Sequence, residues 1–101
     1  MMLHTINKSP FEKNSLDSCL RLAKEGSSIL LIEDAVYAAM KGTAVEERVE
    51  RAAQQYQIYA LGPDLKARGL EEANLINGVS VVNYEGFVDL VAGHDKVQAW
   101  L

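Results

Sequence analysis

The fold of this chain is decided by one stretch of sequence, GSSILLIED at residues 26–34. It contains a continuous aliphatic run that ends at Ile32, with Gly26 before it and the acidic pair Glu33-Asp34 after it. A strand with one wet face alternates apolar and polar residues, whereas a strand covered on both faces is apolar throughout. The stretch therefore predicts a strand that is buried on both faces.

Further strands and helices are predicted to alternate on either side of this run. Strands are predicted at residues 2–6, 57–61 and 79–82, and the apolar segment 97–101 could pair with the sheet or dock on it. Helices are predicted from Asn14 or Ser15 to Gly26, and at residues 35–40, 43–56, 65–68 and 84–91. Turns are predicted at residues 62–64 and 77–78. Such alternation favours parallel strands joined by right-handed crossovers. We therefore expect an α/β fold with three layers, in which helices flank a mainly parallel sheet of four or five strands.

Length and charge restrict the class of protein. The 101 residues suit one domain spanning residues 1–101, and 49% hydrophobic with 24% charged residues is ordinary globular composition. The formal net charge is −4 and no basic cluster exceeds a pair of residues, which argues against direct binding to a nucleic-acid backbone. No aliphatic run approaches the roughly twenty residues of a membrane span, and the first residues do not resemble a secretion signal. We expect a soluble, cytoplasmic protein that does not contact a membrane.

The single cysteine, Cys19, excludes an internal disulfide and a cysteine-rich zinc site. It is also the one side chain that could carry sulfur unaided, as a persulfide. Its spacing of three and four from Leu16, Leu20 and Ala23 places it on the apolar side of a helix, where a free cysteine often acts as a small hydrophobic residue. Two hypotheses remain open for Cys19: a sulfur acceptor, or a buried core residue.

Other polar residues give weaker signals. His4 is expected to be a structural residue of the first strand, with a catalytic role as the alternative, and His94 is expected in an exposed loop. Asp64 and Arg68 are four residues apart on a helical turn, and we expect either a helix cap or an exposed ion pair there. No glycine-rich phosphate-binding motif or metal-ligand spacing is present, so we expect neither a cofactor nor a metal.

Two features concern the ends of elements. Asp34 is expected to cap the following helix, although Glu33-Asp34 also lies at the carboxyl end of a strand, where open α/β sheets bind ligands. The apolar terminus Ala99-Trp100-Leu101 is expected to be held in place, either by a partner subunit or by the core of its own chain.

Several segments resemble a known family. They are LHTINKSPF at residues 3–11, the strand ending in Glu33-Asp34, LGPDLKARG at 61–69 and VQAWL at 97–101. Nearly end to end, the chain resembles the DsrH proteins of sulfur-oxidising bacteria, which are related to the TusB proteins of the sulfur relay that thiolates the wobble uridine of tRNA. The NKSPF and GPDLKARG segments look closer to DsrH than to TusB.

The resemblance implies a fold and a function. It implies the DsrE/DsrF/DsrH-like α/β fold, and a cytoplasmic subunit that forms a heterohexamer with DsrE-like and DsrF-like partners, two copies of each. This complex would pass persulfide sulfur toward a DsrC-like or TusE-like carrier during intracellular sulfur oxidation. The principal acceptor cysteine of the family belongs to the DsrE-like subunit.

The resemblance also bears on Cys19. DsrH proteins of sulfur oxidisers carry a cysteine that matches Cys19, whereas TusB proteins generally lack it, so Cys19 is a candidate persulfide acceptor. The alternatives are a non-catalytic structural subunit of the same complex and a TusB-like role in tRNA thiolation. An isolated small-molecule-binding domain is a more remote hypothesis, based on the acidic strand end alone.

Overall fold

The computed structural model describes residues 1–101 and is built on a five-stranded sheet. The strands are β1 (Met2–Ile6), β2 (Ser28–Leu31), β3 (Gln57–Leu61), β4 (Val79–Val82) and β5 (Lys96–Trp100). Their order across the sheet is β4-β3-β2-β1-β5, and every neighbouring pair is parallel. The predicted α/β fold with a parallel sheet is confirmed, and the C-terminal segment adds the fifth strand by pairing with β1.

Four α-helices and two 3₁₀ helices connect the strands. The α-helices are α1 (Ser15–Leu22), α2 (Glu46–Ala52), α3 (Gly62–Ala67) and α4 (Tyr84–Gly93), and the 3₁₀ helices are Glu33–Ala39 and Glu72–Asn74. The chain steps across the sheet from β1 to β4 in one direction and then returns to the other side of β1. Right-handed crossovers therefore place α4 on the opposite face from the elements that precede it.

The two faces of the sheet are covered unequally. The face toward α1, which we call the core face, contributes residues such as Ile6, Ile29 and Ile58 to a cluster of 18 buried residues. On the other face, the α4 face, Leu3 and Leu30 are fully buried. All four residues of β2 are buried, as predicted for a strand covered on both sides. In contrast, α4 has no buried residue at all.

Several helix boundaries differ from the sequence predictions. The helix expected at residues 14–26 ends at Leu22, the one expected at 43–56 covers Glu46–Ala52, and residues 35–40 fall mostly within a 3₁₀ helix. The predicted turn at residues 62–64 is instead the first turn of α3. Pro63 fits there because the first residues of a helix need no N–H donor. None of the helices has the length and apolar character required to cross a bilayer.

Candidate functional site

The carboxyl ends of β2 and β3 are tied together by one carboxylate. Asp64 lies in the first turn of α3, directly after β3, and its Oδ2 accepts the backbone N–H of Glu33 at 2.6 Å. Glu33 is the second residue after β2 and the neighbour of Asp34. Its φ of +50° is a left-handed conformation that non-glycine residues rarely adopt. The hydrogen bond from its N–H to Asp64 holds this strained residue in place.

Arg68 completes an ion-pair cluster at this edge of the sheet. Its Nη2 lies 2.9 Å and its Nε 3.0 Å from Oδ1 of Asp34, whereas its Nη1 is 3.9 Å from Oδ1 of Asp64. Nη1 also donates to the backbone oxygen of Asp64 at 3.2 Å. The pair expected between Asp64 and Arg68 is therefore present but long, and Asp34 is the closer carboxylate partner of Arg68.

The prediction that Asp34 caps the following helix is wrong. The position before the 3₁₀ helix is occupied by Ile32, and no side chain caps this helix. Asp34 lies within the first turn, where its carboxylate faces Arg68 instead. The cluster at this edge thus consists of two carboxylates, Asp34 and Asp64, that share the guanidinium of Arg68. No three His, Cys, Asp or Glu side chains converge as metal ligands.

Cys19 lies in the middle of α1 with its side chain directed into the core. Its exposure is 0%, and it belongs to the 18-residue core cluster. Burial raises the pKa of the Cys19 thiol to about 12, because the charged thiolate would lose its hydration. As the fifth residue of α1, Cys19 is also beyond the first turn, where the helix dipole could stabilise a thiolate. In this conformation the thiol is neutral and closed to a partner's sulfur.

The two histidines each join distant parts of the chain. His4, 5% exposed, lies on the core face of β1, and its Nδ1 accepts the indole N–H of Trp100 at 3.0 Å. Burial lowers the pKa of His4. The expectation that His94 occupies an exposed loop is wrong: His94 follows α4, is half-buried, and has its Nε2 2.8 Å from Oγ of Ser28 in β2. This contact joins residues 66 positions apart, so no local sequence pattern predicts it.

An exposed apolar row on α4 forms a second candidate site. Gly86, Phe87 and Leu90 face the sheet and are partly buried. Tyr84, Val88 and Val91 recur at spacings of four and three on a different side of the helix and are 59%, 66% and 40% exposed. We call these three residues the α4 row. Helices of monomeric proteins normally present polar residues to water, so the row is a candidate contact surface.

The fold and the site define a small parallel α/β protein whose only thiol lies in the core and whose flanking helix α4 has no buried residue. The chain belongs to the DsrH-like family, because the family model described as DsrH like protein matches residues 8–97. The TusB protein of Pectobacterium parmentieri is 37% identical over 99 residues, covering 98% of this chain and 100% of the relative. TusB of Escherichia coli strain K12 shows the same identity and coverage. The resemblance to the DsrH/TusB family is confirmed.

Solved structures match the fold as well. The YchN protein of Escherichia coli superposes with a TM-score of 0.85 at 23% identity, covering 97% of both chains. A protein of unknown function from Methanobacterium thermoautotrophicum has a TM-score of 0.73 at 18% identity, covering 96% of both chains. At these identities the likeness concerns the fold.

Proposed function

We propose that this chain is a structural subunit of a cytoplasmic sulfur-relay complex, in which a cysteine of a partner subunit carries the sulfur. Membership of the DsrH/TusB family supports the relay. The observation that carries the structural role is the complete burial of Cys19 within the core cluster.

The chemistry of sulfur relay explains why burial matters. In each transfer a thiolate attacks the outer sulfur of a donor persulfide, so that a new S–S bond forms on the acceptor while the donor's S–S bond breaks and the donor leaves as a thiolate. The acceptor must be deprotonated and open to the donor. With a pKa of about 12, only roughly one Cys19 in a hundred thousand is a thiolate at pH 7.

The α4 row supports assembly with partner subunits. Besides the row itself, α4 carries Glu85 and Asp89 and no lysine or arginine. A second copy of this chain packed helix to helix on the row would bring like charges together, whereas a different subunit with an apolar strip and basic neighbours would complement it. We therefore assign the row to a subunit of different sequence. The family resemblance implies that this subunit is DsrE-like or DsrF-like, within a heterohexamer holding two copies of each chain.

Intact mass spectrometry of the co-purified complex tests the role of the chain. The complex is exposed to a persulfide-loaded sulfurtransferase, and each subunit is weighed before and after reduction. The mass of one sulfur atom should appear on a partner subunit and not on this chain. A complex carrying Cys19→Ala should pass sulfur to a DsrC-like or TusE-like carrier at the normal rate.

The same experiment tests the hypothesis that Cys19 itself accepts sulfur. That role requires α1 to move away from the sheet when partners bind, so that the thiol becomes exposed and ionised. A reducible sulfur atom on this chain that is absent from the Cys19→Ala complex would establish Cys19 as an acceptor and overturn the structural role.

The pathway served by the relay has two candidates, each with its own support. The NKSPF and GPDLKARG segments favour sulfur oxidation through a DsrC-like carrier, whereas identity to TusB along the whole chain favours thiolation of the tRNA wobble uridine. Deletion of the gene distinguishes them. Loss of sulfur oxidation with normal 2-thiouridine in tRNA supports the first candidate, and loss of 2-thiouridine with normal oxidation supports the second.

A further inference from the structure

A cavity of about 610 Å³ opens at the amino ends of β1, β2 and β5, on the opposite edge of the sheet from the ion-pair cluster. Its walls are mostly apolar and include Met1, Met2 and Leu22. Leu22, the last residue of α1, is 66% exposed. Exposed apolar walls around a concave site are typical of ligand pockets.

Two largely buried polar side chains, His4 and Ser27, line this cavity. Each has a hydrogen-bond donor that no acceptor of the chain contacts. His4 accepts from Trp100 at Nδ1, so the neutral ring carries its proton on Nε2, and Nε2 forms no hydrogen bond within the chain. Ser27 is also 5% exposed and lines the cavity, and its hydroxyl forms no hydrogen bond either. Neither Nε2 nor Oγ is among the sealed polar atoms of the core, so both open toward the cavity.

The sheet register brings the two donors to the same face. Leu3 in β1 is the register partner of Ser28 in β2, and both point to the α4 face. Because side chains alternate along a strand, their neighbours His4 and Ser27 both point to the core face. A carboxylate in the cavity would replace water on these two donors with charge-assisted hydrogen bonds, which are stronger than bonds between neutral groups. Two such donors on one face suit a ligand with two acceptor oxygens.

The charges around the cavity favour an anion of low charge. Lys24 and Lys96 line it and form no ion pair, while Asp95 is already paired with the amino group of Met1. Glu25 is the remaining carboxylate at the rim. Two free ammonium groups therefore face one free carboxylate, so the rim carries a single net positive charge. This charge attracts and neutralises a monoanion, whereas a dianionic phosphate would keep an unneutralised negative charge.

We propose that this cavity binds a carboxylate attached to an apolar body, with His4 Nε2–H and Ser27 Oγ–H donating to the carboxylate and the methionine and leucine side chains covering the apolar part. A free fatty acid and the apolar C-terminus of a protein share this chemistry. The site is independent of the proposed relay role.

The one tryptophan of the chain reports on the site directly. A carboxylate that accepts from Nε2–H makes Nδ1 a stronger acceptor, so the indole N–H resonance of Trp100 should move downfield in ¹⁵N-labelled full-length protein. The probes are octanoate, octanol, and an apolar tripeptide with either a free or an amidated C-terminus. Octanoate or the free-acid peptide should shift the resonance in a saturable manner, and octanol and the amide should not.

Matched variants distinguish a built site from adsorption to apolar surface. Ser27→Ala should weaken octanoate binding about tenfold, because a hydrogen bond to a charged group is lost. The hydrogen bond between Trp100 and His4, which reports on binding, is unchanged in this variant. Ser80→Ala, at an exposed position of β4, should leave binding unchanged. Binding by octanoate alone identifies a fatty-acid site, and binding by the free-acid peptide alone identifies a site for a protein C-terminus. Equal binding of octanol and octanoate, equal effects of the two variants, or no shift with any probe would overturn the proposal.

Discussion

Trp100 donates its indole N–H to Nδ1 of His4 at 3.0 Å, which joins the last strand of the sheet to the first. Both residues lie on the core face, where Gln98 is the register partner of His4 and Trp100 that of Ile6, so the bond runs diagonally across the β1–β5 pair. The remaining residues of β5 are exposed. Apart from the backbone ladder, β5 is held by this hydrogen bond and by the packing of Trp100 on the core. In addition, the hydroxyl of Ser15 in α1 donates to the backbone oxygen of Leu101, directly after the strand, at 3.2 Å.

The first prediction is that this attachment depends on pH. Nδ1 can accept the indole N–H only while it is unprotonated, and burial lowers the pKa of His4 below its ordinary value of 6.5. The unfolded chain therefore takes up the proton more readily than the folded one. The free energy of unfolding should be unaffected by His4 above about pH 6.5 and should fall as the pH drops from there through the folded pKa.

Urea denaturation at a series of pH values from 7.5 to 5.5 measures this dependence. His4→Gln is the control, because its side chain can still accept from Trp100 and does not titrate. A difference in stability between the wild type and His4→Gln that stays constant across the series would contradict the prediction.

The second prediction concerns the chemical state of Cys19. A neutral thiol with 0% exposure should react with iodoacetamide far more slowly in the folded chain than in urea. Cys19→Ala should lower the free energy of unfolding by about 1–2 kcal/mol through the lost contacts, and Cys19→Ser by more, because its hydroxyl would be buried without an assured partner. Rapid labelling of the native protein would show that α1 opens readily.

The third prediction is that a substitution to glycine at residue 33 does not destabilise the fold, although glycine usually does. Glu33 has φ +50°, a conformation that costs a non-glycine residue about 1 kcal/mol or more. Its backbone N–H, not its side chain, makes the contact with Asp64. Glu33→Gly should therefore leave stability unchanged or raise it by up to about 1 kcal/mol.

Glu50→Gly is the matched control for this substitution. Glu50 is an exposed residue inside α2, where glycine should destabilise by about 1 kcal/mol. Thermal unfolding of both variants gives the comparison. If Glu33→Gly destabilises as much as Glu50→Gly, the left-handed backbone at Glu33 is not a source of strain.

The sheet could be predicted from the sequence, whereas the side-chain contacts at the two ends of its strands could not. The aliphatic run at β2 and the alternation of elements are local patterns, and they correctly predict the class of fold and the burial of a continuous strand. The partners of Asp34 and His94 depend on residues 34 and 66 positions away in the chain, so no local pattern could identify them. The capping preference of Asp34 was overridden by its ion pair with Arg68, a tertiary contact.

Cys19 illustrates a different limit of the sequence. Its spacing with Leu16 and Leu20 correctly indicates an apolar helix face, and the structure adds that the thiol is completely enclosed. The apolar terminus likewise left two hypotheses open. Trp100 turns out to pack against the core of its own chain, whereas Leu101 remains 84% exposed.

The last prediction tests the α4 row as the contact with a partner subunit. Val88 lies at the centre of the row and is 66% exposed, so Val88→Asp should change the stability of the isolated chain by no more than about 0.5 kcal/mol. In the complex the new carboxylate would be buried against an apolar surface without a partner, at a cost of several kcal/mol. Co-purification with the partner subunits should therefore fall at least tenfold.

Phe11→Asp provides the matched control, since Phe11 is 54% exposed and lies between β1 and α1, outside both the α4 row and the cavity at the amino ends of the strands. It introduces the same charge at a similarly exposed apolar position, so any general effect of the charge on solubility or expression is shared by the two variants. Assembly should persist in Phe11→Asp and fail in Val88→Asp. If Val88→Asp instead assembles at the wild-type ratio of subunits, the partner contacts a surface other than the α4 row.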